Sequence, residues 1–135
     1  MYLQKNKWST AKKQVYNDYR YDSGFEAKHA QDLDLMQKAG EIKSWEPQIT
    51  LDLICNGYKI GTYKIDFVVY NNDDSVELVE TKGIASQLWK YKWKILETMV
   101  MSGDDYLKDK FGDVEIKMSL VKQKSNWSMH KIKKI

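Results

Sequence analysis

A mixed α/β domain is what this sequence predicts, with one sheet flanked by helices and elements in the order α-β-β-β-α-β. Three observations predict it. Phe25, His29, Leu33 and Met36, and later Trp89, Trp93, Leu96 and Val100, recur at helical spacing. Between these two stretches lie three extended, apolar-rich segments joined by Asn56-Gly57 and by Asn71-Asn72-Asp73-Asp74. A further alternating segment follows the second helix. Helices interleaved with strands bury their apolar stripes on the two faces of a sheet. The 135 residues suit a single domain.

The elements follow in order. Residues 1–21 are polar with scattered aromatics (Tyr2, Trp8, Tyr16, Tyr19) and read as an irregular or partly helical arm. A helix is expected from about Gly24, after Ser23, to Ala39, where Gly40 supplies a stop. Pro47 then forces extended chain. Gln48 to Ile54 is a strand, with Ile49, Leu51 and Leu53 on one face and Thr50 and Asp52 on the other. Asn56-Gly57 is the preferred pair for a two-residue hairpin turn, so Tyr58 to Tyr70 returns antiparallel. Val76 to Lys82 is the third strand. Ser86 to Met101 forms the second long helix, ended by Gly103. Asp104 to Phe111 reads as a short helix and Val114 to Val121 as the last strand.

Composition narrows the functional classes. A hydrophobic content of 42% is ordinary for a globular protein. No run of about 18 apolar residues predicts a transmembrane helix. The start Met1-Tyr2-Leu3-Gln4-Lys5 is unlike a signal peptide, and the single cysteine, Cys55, excludes an intramolecular disulfide; a cytoplasmic location is expected. Cys55, His29 and His130 lack the spacing of a zinc site, and no glycine-rich phosphate loop is present. The net charge is +3, but its distribution matters more. From Lys122 to Lys134 there are five lysines, Lys124 and Lys131 among them, and no acid. Such a segment grips phosphate or is simply solvated. Lys90 and Lys94 pose the same choice on one face of the second helix. Arg20 is the only arginine, so base-specific reading of the major groove is not expected.

One constellation carries chemistry. Asp66 sits in the apolar run Tyr63-Lys64-Ile65-Asp66-Phe67-Val68-Val69, and Glu80 and Lys82 lie in Leu78-Val79-Glu80-Thr81-Lys82. Glu80 and Lys82, at i and i+2, share a strand face. If the two strands pair, Asp66 lies beside Glu80. Adjacent carboxylates repel unless a cation joins them, and Mg²⁺ accepts one or two carboxylates plus phosphate oxygens and water. The plainer alternative is a lone strand-end Asp66 and an exposed Glu80–Lys82 pair. The apolar neighbours weigh against it, because charges on central strands need a reason.

An acidic residue in one strand followed by Glu-x-Lys in the next, within this element order, resembles the PD-(D/E)XK nuclease superfamily over about residues 22–121. Ile65-Asp66 stands where the family has Pro-Asp, and Glu80-Thr81-Lys82 where it has (D/E)-x-K. Glu26 in Phe25-Glu26-Ala27 matches a glutamate that many members carry on the first helix, although Ser23-x-x-Glu26 is equally a helix capping box. The Gly24–Ala27, Ile65–Phe67 and Glu80–Gly83 blocks look like those of small phage proteins labelled Holliday-junction resolvases. The resemblance implies a restriction-endonuclease-like core and a Mg²⁺-dependent (Mn²⁺ substituting) DNA endonuclease acting in a bacterial host on branched DNA such as recombination intermediates. It implies metal ligation by Asp66, Glu80 and the Thr81 carbonyl, and assistance to the nucleophile from Lys82. Glu26 would hold a water or a second ion. Lys90, Lys94, Lys122, Lys124 and Lys131 would contact DNA, and a homodimer would serve a two-fold junction. The alternative is a non-catalytic DNA-binding module that keeps the fold.

Overall fold

The computed structural model describes residues 14–16, 19–21, 24–82 and 86–122. The expected α/β class and element order are present. Helix α1 (Gly24–Lys38) is followed by three antiparallel strands, β3 (Ile42–Cys55), β4 (Tyr58–Asn71) and β5 (Val76–Lys82). Helices α2 (Gln87–Ser102) and α3 (Asp105–Phe111) then lead to β6 (Ile116–Lys122). The sheet order is β3-β4-β5-β6, and β6 runs parallel to β5. A parallel neighbour requires a crossover, which α2 and α3 supply. The result is a mixed sheet flanked by helices, consistent with a restriction-endonuclease-like core.

Two expectations need correction. The arm contributes two short antiparallel strands, β1 (Gln14–Tyr16) and β2 (Tyr19–Tyr21), where an irregular or partly helical segment was expected. Strands of three residues are too short to show a period in sequence. β3 begins at Ile42, six residues before the expected start at Gln48, and passes through Pro47. Pro47 is tolerated because β3 is an edge strand, where a missing amide need not break a ladder on both sides.

Asn56 (φ 52°) and Gly57 (φ 82°) form the hairpin turn as predicted. Ser86 caps α2 by accepting from the Trp89 amide at 3.0 Å, and Gly103, at φ 68°, closes its other end.

The two faces of the sheet carry separate cores. Leu51, Leu53, Tyr63, Ile65, Val68, Leu78, Leu96, Met99 and Leu107 pack on the α2–α3 side, with Trp89 and Trp93 partly buried against them. Ala27, Ala30, Leu33, Ile42, Phe67, Val69 and Val79 pack on the α1 side. Phe67 is fully buried between the rings of His29 (5.3 Å) and Trp45 (5.8 Å). Burying such a ring contributes about 1.5–3 kcal/mol.

The assignment of residues to these cores exposes a shared irregularity. On β4, Ile65 faces α2, yet Phe67 faces α1 and Val68 faces α2. On β3, Trp45 faces α1, whereas Ile49, Leu51 and Leu53 face α2. Regular alternation would put residues two apart on the same face. Both strands therefore change phase, at Gln48 and at Asp66. The rungs Pro47↔Phe67 and Ile49↔Ile65 bracket the change, so these two residues stand opposite each other and the register survives.

Candidate functional site

Asp66 lies where β4 changes phase and where β4 and β5 part. The last rung between those strands is Phe67↔Val79, which puts Asp66 and Glu80 at the next level, across from one another. Beyond that rung the Thr81 amide donates to Asp66 Oδ2 at 2.8 Å, and the Thr81 hydroxyl donates to the same oxygen at 2.7 Å. The carboxylate thus takes the place of a strand carbonyl. Hydrogen bonds to an ionised acceptor are stronger than neutral ones and fix its direction. The sequence marked Thr81 for its carbonyl; its amide and hydroxyl act as the clamp on Asp66.

Glu80 is only 5% exposed, on a central strand. A carboxylate at that depth is costly unless hydrogen-bonded or ion-paired. One donor is Tyr63, whose hydroxyl bonds to the Glu80 side chain and accepts from Trp89 Nε1 at 2.8 Å. Burial first, and then the Glu80 charge, push the Tyr63 hydroxyl well above its ordinary pKa, so it stays protonated and able to donate. Trp89 stacks on Trp93 at 5.4 Å, and Trp93 meets Tyr63 edge-on at 6.3 Å. The tryptophans are thus part of the packing, as their spacing suggested, and they hold the Tyr63 ring beneath Glu80. Sequence reasoning missed Tyr63 because its partners lie at separations of 17 and 26 residues.

Glu26, in the first turn of α1, is 4% exposed, and its Oε2 accepts from Gln48 Nε2 at 3.1 Å. The alternative partner, Ser23, lies outside the described residues. Gln48 links Glu26 to the level of Asp66, so Glu26, Gln48, Asp66 and Glu80 follow one another across α1, β3, β4 and β5. Sequence gave no signal for Gln48 beyond its place in a strand.

Both long helices begin at this level. Trp89 of α2 meets Tyr63, while Met99, near its other end, accepts from the Ile54 amide beside the hairpin. On the opposite face Glu26 lies in the first turn of α1. Helix N-termini carry partial positive charge and favour anions.

The lysines are spread out. Lys82 ends β5, and its backbone pairs with Lys122, which is exposed at the end of β6. Lys90 is exposed on α2. Lys94 pairs with Glu97 at 3.7 Å and lines a groove with Ile54, Asn56 and Ile60 near the hairpin. Lys94 lies five residues beyond Trp89 on α2, on the side of the hairpin. Lys124, Lys131, Trp8 and Trp127 lie outside the described residues.

Among the described residues no group of three or more His, Cys, Asp or Glu side chains is arranged to hold a metal ion. A divalent ion at this level would rest on Asp66 and Glu80, completed by peptide carbonyls, water and substrate oxygens. Such all-oxygen coordination with few carboxylates suits Mg²⁺.

No helix among the described residues is long and apolar enough to cross a membrane. No curated protein is a sequence match for the chain. Among solved structures, the EndoMS–dsDNA2 complex shows a slight likeness, with 15% identity and a TM-score of 0.32 over 76% of this chain. The chain spans 40% of that protein's length. Residues 5–124 match the family described as "Protein of unknown function (DUF1064)", and the chain belongs to that family.

Proposed function

We propose that this protein is a metal-dependent DNA endonuclease that hydrolyses phosphodiester bonds, with branched DNA such as a four-way junction as its substrate. The observation that supports this most is the Asp66–Glu80 level: two carboxylates on adjacent strands of a central sheet, one clamped by Thr81 and the other set against Tyr63. Structural ion pairs do not require two acids to face each other where strands part. The resemblance of Ile65-Asp66 and Glu80-Thr81-Lys82 to the PD-(D/E)XK pattern supports the same reading.

In this mechanism Asp66 and Glu80 would hold Mg²⁺. The ion would supply charge neutralisation at the scissile phosphate and make a water easier to deprotonate. Lys82, two residues along the strand from Glu80, would orient the attacking water and offset charge developing on phosphorus. The water oxygen forms the new P–O bond as the water gives up a proton to solvent, the P–O bond to one sugar breaks, and the departing sugar oxygen takes up a proton from solvent, so that no net proton is gained or lost in these steps. The Thr81 amide and hydroxyl keep Asp66 directed across the strand gap. Glu26 would hold a water or a second ion. The starts of α1 and α2 would favour an approaching phosphate, and the exposed Lys90 and Lys122 would follow the backbone. A homodimer would present two such centres to the two strands of a junction.

The test is cleavage of linear, flapped, forked and four-way DNA with and without Mg²⁺, by the wild type and by Asp66→Asn and Glu80→Gln. The wild type should cut only with metal and prefer branched substrates. The variants should fold and bind DNA without cutting it. Wild-type rates in both variants would refute the assignment. Metal-dependent cutting by a strict monomer, with only unpaired nicks, would refute the junction-resolving part alone.

A further inference from the structure

We infer that the groove between the β3–β4 hairpin and the second half of α2 is the surface on which a second copy of this chain docks. This gives the homodimer of the proposed function its contact face, but the inference rests on the groove and not on the metal centre.

Three observations carry it. The first is apolar exposure. A groove of about 340 Å³ separates the two elements, with Ile54, Cys55, Ile60, Ile95 and Met99 in its walls. Ile60 remains 55% exposed there. Tyr58, which pairs across the hairpin with Cys55, is 76% exposed. Met101 is 81% exposed, and its spacing from the groove residues Lys94 and Thr98 puts all three on one face of α2. Single exposed apolar side chains are ordinary, whereas a group of them around a recess marks an interaction surface.

The second is charge. Among the described residues lining the groove, Lys94 is the one base and Asp104 the one acid, and Lys94 also pairs with Glu97 at 3.7 Å. DNA is drawn to a surplus of lysine, and this face has none, although the chain as a whole carries +3. A face that bears both signs is complementary to the same face turned by a two-fold axis, which sets each Lys94 toward the acids of the other copy. The third is shape. Large exposed side chains, Tyr58 and Met101, stand beside a recess. In a two-fold contact whatever projects from one copy meets the other's recess, and the reciprocal contact forms with it.

Sedimentation velocity across the micromolar range tests this. The wild type should be dimeric at the upper end. Tyr58→Ala and Met101→Glu should each raise the dissociation constant roughly tenfold or more, the scale of removing one interface anchor. Lys94→Glu leaves only acids lining the groove and should do the same by repulsion. Leu35→Glu is the control: Leu35 is 63% exposed on α1, across the sheet from the groove, and this variant should dimerise like the wild type. All these positions are exposed, so melting temperatures should stay near wild type. Cys55 locates the contact, because it is the only cysteine and is exposed. Its reaction with a maleimide should slow as the wild type dimerises and stay fast in Met101→Glu. A monomer throughout the range would overturn the inference. So would a dimer indifferent to the three groove substitutions, or a Cys55 reaction rate independent of concentration. Absence of metal-dependent cleavage in the wild type would instead overturn the nuclease reading and leave the contact face standing.

Discussion

Replacing Tyr63 with Phe removes one oxygen and little else. The ring is 5% exposed, and its edge-on contact with Trp93 survives in phenylalanine. The lost oxygen accepts from Trp89 Nε1 at 2.8 Å and bonds to the buried Glu80 side chain. A neutral hydrogen bond contributes about 1 kcal/mol net, and one to a charged group about 1.5–3 kcal/mol. Phenylalanine leaves an indole N–H facing carbon and takes a donor from a carboxylate that water scarcely reaches. The expected destabilisation is about 3 kcal/mol. For a chain of this length that lowers the melting temperature by roughly 10 °C. Thermal unfolding followed by circular dichroism in metal-free buffer measures it. Because Glu80 would also lose its orientation, metal-dependent cleavage should slow about tenfold even where the variant is fully folded. A melting temperature within about 2 °C of wild type, the range of a neutral surface change, would refute the view that Tyr63 supports Glu80.

Three further outcomes are expected. Lys82→Ala should lower the single-turnover cleavage rate by roughly 10²-fold, the scale of one lost electrostatic contact to the transition state; an unchanged rate removes Lys82 from the mechanism. Burial lowers the pKa of His29 below 6.5, against the opposing pull of Asp32, Asp66 and Glu77. The unfolded chain therefore takes up the His29 proton first, and stability should fall as pH drops below 6.5. Denaturant midpoints between about pH 8 and pH 5 should show this in wild type, and His29→Gln should flatten it. Deleting residues 123–135 should weaken DNA binding and reduce its dependence on salt, because fewer counterions are released; an identical salt slope would leave the basic segment without a part in binding.

Periodicity and turn chemistry made most of the framework legible. The apolar stripe of α2, the Asn56-Gly57 turn and the alternation around Leu51 and Leu53 each follow from local rules that the structure obeys. Pro47 misled the reading of β3, because proline is a sound boundary signal except on a sheet edge. The site divides in the same way. Asp66 and Glu80 stood out as charges within apolar strands, and their alignment needed only antiparallel pairing. Gln48 and Tyr63 were silent. A glutamine with φ 52° looks like any other glutamine in sequence. The Tyr63 contacts depend on where α2 crosses the sheet, which is a property of tertiary packing. The bonds from the Thr81 amide and hydroxyl to Asp66 were silent as well, since the strand separation that lets them form is not written in local sequence.

The bend in β3 has a consequence for how this protein coexists with other copies of itself. An edge strand of 14 residues offers a long template on which another chain can add a strand. Pro47 presents no amide there, and the left-handed Gln48 next to it turns the following peptide out of line. The free edge is thereby interrupted between Ile42 to Glu46 and Ile49 to Cys55, while the pairing with β4 continues across the interruption. The same bend that carries the Gln48–Glu26 hydrogen bond makes the sheet a poor seed for aggregation. Straightening it, with Pro47→Thr and Gln48→Val together, should reveal that protection as faster fibril or precipitate formation on mild heating.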